Sequence, residues 1–275
     1  MRTRILGLIS WLVAGCLLGI AAPGSGQQTE KPVSTDLPAP VLAPEPASQE
    51  APKATTISLE DRADIFMARK SYSDAVDYYR RALAAKGRKD PALWNKLGIA
   101  YQQLMDYSPA RKAYKEAMRQ NTTFAEPLNN LGTTYYLDNR AKKSLKYYRQ
   151  AIKLNPNNAS FHMNLGTAYY QIKKFKEAVE EYRTALSLDP NVLTERSSLG
   201  TVMQARTADA KFFFYMAKVF ASLGRAEEAV RYLRRALEDG FNDQKVLDED
   251  PDLKKISGFP DYVELRKNPP KAIKD

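Results

Sequence analysis

The chain is poor in the residues that most reactive chemistry needs. Among its 275 residues there is one cysteine, Cys16, and one histidine, His162. A disulfide-built scaffold requires paired cysteines and a Cys/His zinc module requires several ligands, so both are excluded, and Cys–His catalysis is disfavoured. No Gly-rich phosphate loop, Ser/His/Asp set or metal-ligand spacing is present either. The expectation is therefore a non-enzymatic protein without metal or cofactor. A mean hydropathy of −0.50 excludes a polytopic membrane protein, while 44% hydrophobic and 27% charged residues fit a globular one.

Long apolar runs are confined to the start. Arg2 and Arg4 precede an apolar stretch from Ile5 to Ala22, followed by the small, turn-forming run Pro23 to Gln28. That order is an export signal, so residues 1–26 are expected to be a signal peptide or membrane anchor, and the protein periplasmic or envelope-associated. Three outcomes stay open: cleavage after Gly26, lipidation of Cys16 in the lipobox-like Val13-Ala14-Gly15-Cys16, or an uncleaved anchor. Residues 27–56 then turn to Pro, Ala, Glu, Ser and Thr, a composition that cannot bury a core and predicts an extended, disordered linker.

From Ile57 the sequence resembles itself. Leu97-Gly98, Leu131-Gly132 and Leu165-Gly166 are 34 residues apart, as are Tyr101, Tyr135 and Tyr169, then Tyr114, Tyr148 and Tyr182, then Ala117, Ala151 and Ala185. The columns extend back through Ala63, Ala75, Tyr79 and Ala82, and forward through Ala217, Ala229, Leu233 and Ala236. On these residues the chain resembles the tetratricopeptide-repeat family over about Ile57 to Asp243. The resemblance implies an all-α fold: a right-handed α-solenoid of about five helical hairpins (about 56–90, 91–124, 125–158, 159–192 and 210–243) with a C-terminal helical cap in 244–275. Gly98, Gly132 and Gly166 would let a first helix approach a second closely, with the Tyr column filling the space between. His162 shares a packing column with Trp94, Leu128 and Phe213 and reads as structural.

The resemblance also implies a concave groove lined by first helices, which would bind an extended peptide or protein segment. Helical periodicity turns Asn95, Ile99 and Gln102, then Asn129, Thr133 and Tyr136, then Met163, Thr167 and Tyr170 into that groove, with Asn130 and Asn164 beside them. A side-chain amide carries a donor and an acceptor together, which suits a peptide backbone; the same Asn column could equally serve hydrogen bonds between helices. An insert, 193–209, breaks the period and is either a lid over the groove or a decorated loop. The four consecutive rings Phe212 to Tyr215 cannot all face inward on a helix, so at least one is expected on the insert or a partner. Asp250-Pro251 and Pro260 predict capping helices, and Pro269-Pro270 the end of order.

Once the charges before Ile57 are set aside (four of each sign), the repeat region carries the whole net charge of +10. Arg111, Lys112, Lys115, Lys142, Lys143, Lys146, Lys173, Lys174 and Lys176 fall on second helices or turns. This is either a solvated face or one attracted to an anionic membrane, envelope polymer or acidic protein; nucleic acid is disfavoured as a partner.

Overall fold

The structure is a computed structural model, which describes residues 57–193 and 209–273. The predicted signal segment with Cys16, the linker and the body of the insert lie outside the described residues. Within them there are thirteen helices and no strand. Ten form five hairpins: α1 (Leu59–Ala68) with α2 (Tyr72–Ala85), α3 (Pro91–Gln103) with α4 (Tyr107–Gln120), α5 (Ala125–Leu137) with α6 (Ala141–Leu154), α7 (Ala159–Gln171) with α8 (Phe175–Leu188), and α9 (Ala210–Ser222) with α10 (Ala226–Glu238). Each of these ten helices packs on the next along the chain, and the first helix α5 also touches α3 and α7. The result is the expected α-solenoid.

Local chemistry sets the hairpins. Ser58, Asp90, Asn158 and Asp209 cap first helices, each accepting a backbone N–H three residues on. Every first helix ends in the same turn. Its outermost residue, Lys70, Met105, Asn139, Lys173 or Gly224, takes a left-handed conformation with φ between 57° and 74°. The next residue donates its N–H back to the fifth carbonyl before it, as in Ser71 to Phe66 and Lys174 to Tyr169, both at 2.9 Å. That repeated turn reverses the chain and begins the second helix without a side-chain cap. Second helices end before Asn155-Pro156 and Asp189-Pro190, where proline cannot continue them.

The hairpins close on the glycine column. A β-carbon added to Gly98 would stand 2.4 Å from Tyr114 Cε1, and one on Gly132 or Gly166 would meet Tyr148 or Tyr182 at 2.9 and 2.7 Å. These tyrosines are fully buried. Their hydroxyls are bonded across the same hairpin, Tyr114 to Gln102 Oε1 at 3.1 Å, Tyr148 with Thr133 Oγ1 at 3.1 Å and Tyr182 to Thr167 Oγ1 at 3.4 Å.

The open end of the last hairpin is covered by α11 (Gln244–Glu249), α12 (Pro251–Lys254) and α13 (Pro260–Lys267), with Leu247, Leu253, Ile256, Tyr262 and Leu265 buried. Asp250 caps α12 and accepts Lys218 Nζ from α9 at 2.7 Å in a nearly enclosed ion pair. One expectation is corrected here. Helix α13 stops before Pro269-Pro270 as foreseen, yet the chain beyond it stays against the fold, Ile273 donating its N–H to the Glu238 carbonyl at 2.8 Å. All four rings of Phe212 to Tyr215 find ring partners in the chain itself. Phe212 meets Tyr170, Phe213 meets Tyr232, Phe214 stacks on Phe241 at 4.2 Å, and Tyr215 stacks on Phe175 at 4.8 Å.

Candidate functional site

The residues singled out for the concave groove come together, but most are buried. Asn95, Asn129, Asn130, Thr133, Tyr136, Met163, Asn164, Thr167 and Tyr170 are all buried, Asn95 the least completely at 9% exposure, and Gln102 is half-exposed. The asparagines pair with one another. Asn164 Nδ2 donates to Asn129 Oδ1 at 3.0 Å, Asn129 Nδ2 to Asn130 Oδ1 at 3.2 Å, and Asn130 Nδ2 to Asn95 Oδ1 at 3.1 Å. Three repeats are thereby joined by a continuous run of amides, each satisfying the next in a setting where an unpaired polar group costs about 1–3 kcal/mol. Of the two roles the sequence left open for this column, the structure displays the hydrogen bonds between helices.

The same rung continues to the first repeat with different chemistry. Lys96, equivalent to Asn130, donates to Glu60 Oε1 at 3.1 Å and Asp64 Oδ2 at 2.7 Å. Tyr79 donates its hydroxyl to the other oxygen of Asp64 at 2.5 Å, and burial first, then Asp64, raises the Tyr79 pKa. Partial burial works to lower the Lys96 pKa, but its bonds to Asp64 and Glu60 outweigh this and hold it above the usual lysine value. Glu60 is held below the carboxylate range chiefly by its bond to Lys86. At the other end the rung becomes aromatic: Tyr170 donates its hydroxyl to Asp209 Oδ1 at 2.6 Å, tying α7 to the residue that caps α9. The groove floor thus runs from ionic to amide to aromatic along the solenoid.

Where the ionic and amide parts meet, the floor opens. A cavity of about 580 Å³ lies over α1 and α3, walled by Met67, Tyr72, Ile99 and Phe124, with Asn95 and Lys96 at its base. Among the described residues no acceptor meets Asn95 Nδ2, so the run of amides ends in a donor at this opening. An apolar wall with one or two aimed polar groups is the usual character of a ligand site. The sequence placed Asn95 in the groove; it gave no signal for Phe124, which reaches the cavity from the turn between α4 and α5.

His162 is structural, as its column suggested. Nδ1 lies 2.7 Å from Glu181 Oε2 and Nε2 lies 2.9 Å from the Pro156 carbonyl. Both nitrogens face acceptors, an arrangement that suits the doubly protonated ring, and the bond to Glu181 is the main reason its pKa is raised. Among the described residues no group of three or more His, Cys, Asp or Glu could hold a metal ion, and no helix is long and apolar enough to cross a membrane.

Comparison with known proteins agrees with the geometry. Family models described as tetratricopeptide repeat match residues 60–124 and 129–192, and 210–238, together more than half of the chain. No curated protein matches significantly. Among solved structures, MamA is 21% identical, with 66% of this chain and 96% of that chain covered at a TM-score of 0.46. YrrB, described as a TPR protein with an unusual peptide-binding site, is 18% identical, with 69% and 89% covered at a TM-score of 0.44. A thermophilic TPR protein of Thermus thermophilus, TTC0263, is 18% identical, with 68% and 93% covered at a TM-score of 0.46. With its helical hairpins, its glycine and tyrosine columns and these family matches, the chain belongs to the tetratricopeptide-repeat family.

Proposed function

We propose that this protein is a non-catalytic interaction scaffold that holds an extended segment of a partner protein on the concave face of its first two repeats. The observation that carries the proposal is the apolar cavity over α1 and α3, with the unpaired Asn95 Nδ2 at its base. An apolar side chain of the partner enters between Met67, Ile99 and Phe124. The adjacent backbone carbonyl accepts from Asn95, whose orientation is fixed from behind by Asn130. Repeats three and four contribute rigidity, because their groove amides are engaged with each other.

Peptides selected from a displayed random library against the full chain test this. Ala92 lines the cavity from an exposed position, so Ala92→Trp fills the site without touching the core. The selected peptides should bind the parent protein and lose at least tenfold in affinity for Ala92→Trp. Equal binding to both proteins would place the functional surface elsewhere. We further propose an envelope location, which rests on the basic, apolar and small-residue order of residues 1–26. N-terminal mass spectrometry of the native protein tests it: a chain starting near residue 27 or an acylated Cys16 supports export, and an intact Met1 on a cytosolic protein refutes it.

A further inference from the structure

The second-helix side of the same two repeats carries a different kind of site. Between α2 and α4 run two adjoining hollows of about 680 and 830 Å³, which share Arg88, Trp94 and Lys112. The floor is apolar: Leu97 is buried, Trp94 is half-buried, and Pro109 and Ala113 close the α4 side. The rim is basic. The two carboxylates that line the hollows are already engaged, Asp77 with Arg81 at 3.6 Å and Glu116 with Arg119 at 2.6 Å. That leaves Arg80, Arg88, Lys89 and Lys112 with no ion pair among the described residues, all around one half-buried indole.

The turn that presents two of these cations is held in place. The Arg88 carbonyl accepts from Trp94 Nε1 at 3.0 Å and from Gln120 Nε2 at 2.8 Å, which ties the α2–α3 turn to α3 and α4. Arg88 itself has φ of 60°. Four like charges around a fixed rim repel one another, and an anionic ligand would relieve that repulsion while steering its own approach.

We propose that this outer hollow binds an acidic peptide segment that carries an apolar anchor residue. The anchor would sit on Trp94 and Leu97, and carboxylates on either side would meet Arg80 and Lys112 across the hollow and Arg88 and Lys89 at its end. A peptide is favoured over a polyphosphate because the floor at Trp94 and Leu97 is apolar and would seat a side chain that a uniformly charged strand lacks. This site is separate from the concave cavity and stands or falls independently of it.

Trp94 provides the readout. The chain has two tryptophans, so the full-length protein with Trp11→Phe has Trp94 as its only one. The probe is a peptide of six glutamates flanking a central leucine. Binding should change the Trp94 emission saturably, and the Arg80→Glu, Lys112→Glu double variant should weaken it at least tenfold. Lys142→Glu with Lys173→Glu removes the same charge on later repeats and should change affinity less than twofold. All four side chains lie at the surface, so the variants should melt with the parent. An unchanged emission, or equal weakening by the two double variants, would overturn the site. Tighter binding of a thymidine hexanucleotide than of the peptide would overturn the assignment of its ligand.

Discussion

Adding one methyl group to the glycine column tests how the hairpins close. In Gly98→Ala the new β-carbon would lie 2.4 and 2.6 Å from two carbons of the Tyr114 ring, against an ordinary carbon–carbon contact of about 3.5–4.0 Å. The ring has no room to retreat. Tyr114 is fully buried and its hydroxyl is tied to Gln102, so the overlap of about 1 Å must be relieved by separating α3 from α4. Overpacking of this kind costs about 1–3 kcal/mol. The better helix propensity of alanine offsets about 0.5–1 kcal/mol of it. The net expectation is a loss of about 1–2 kcal/mol, read as a lower urea midpoint at unchanged slope in far-ultraviolet circular dichroism. Gly132→Ala, with its closest approach at 2.9 Å, should cost less. In a Tyr114→Leu background the obstructing ring is gone, and Gly98→Ala should become neutral or stabilising. The reasoning fails if Gly98→Ala is neutral in the parent, or if its cost is the same in both backgrounds.

Other perturbations follow from the same contacts. Asn130→Ala strands Asn95 Oδ1 and Asn129 Nδ2, so it should lower stability by about 2–3 kcal/mol in urea unfolding, whereas removal of a solvated asparagine would change little. Lys218→Met leaves the Asp250 carboxylate enclosed without its partner. A loss of about 2–3 kcal/mol is expected, below the figure for full burial because Lys218 keeps 19% exposure, with α12 losing hydrogen-exchange protection first. The His162 pKa is raised in the folded protein, so its contribution to stability is complete below the unfolded value of about 6.5 and is lost as pH rises through the higher native value. Urea midpoints measured from about pH 6 to about pH 9 should therefore decline, and His162→Phe should remove that part of the decline.

How much of this could be read from the sequence depended on distance along the chain. The five hairpins were legible because their glycine, alanine and tyrosine columns recur at a fixed step, and the helix ends because Pro156 and Pro190 stop helices locally. The amide run was only half legible. Asn95, Asn129, Asn130 and Asn164 stood out as a column, yet whether such an amide faces a groove or the next repeat depends on a partner 35 residues away. Helix α11 was missed because it has only six residues, too few for a period, although Asp243 caps it and Leu247 is buried. The shift of the open cavity to the first two repeats could not be foreseen either. It arises where the amide rung gives way to Lys96 with Glu60 and Asp64, and where Phe124 swings in from a turn outside every repeated column.

The central claim is that a partner segment lies against Asn95 on the concave face, and it is tested most directly by nuclear magnetic resonance. Full-length protein labelled with ¹⁵N is titrated with a peptide from the library selection, and the side-chain amide of Asn95 is followed together with the backbone amides of α1 to α5 and of the turns between them. The account predicts a saturable shift of the Asn95 Nδ2 resonances as they gain an acceptor, with backbone shifts clustered at Met67, Ile99 and Phe124. Shifts confined to Trp94, Arg80 and Lys112 on the outer side, with the Asn95 amide unmoved, would contradict it.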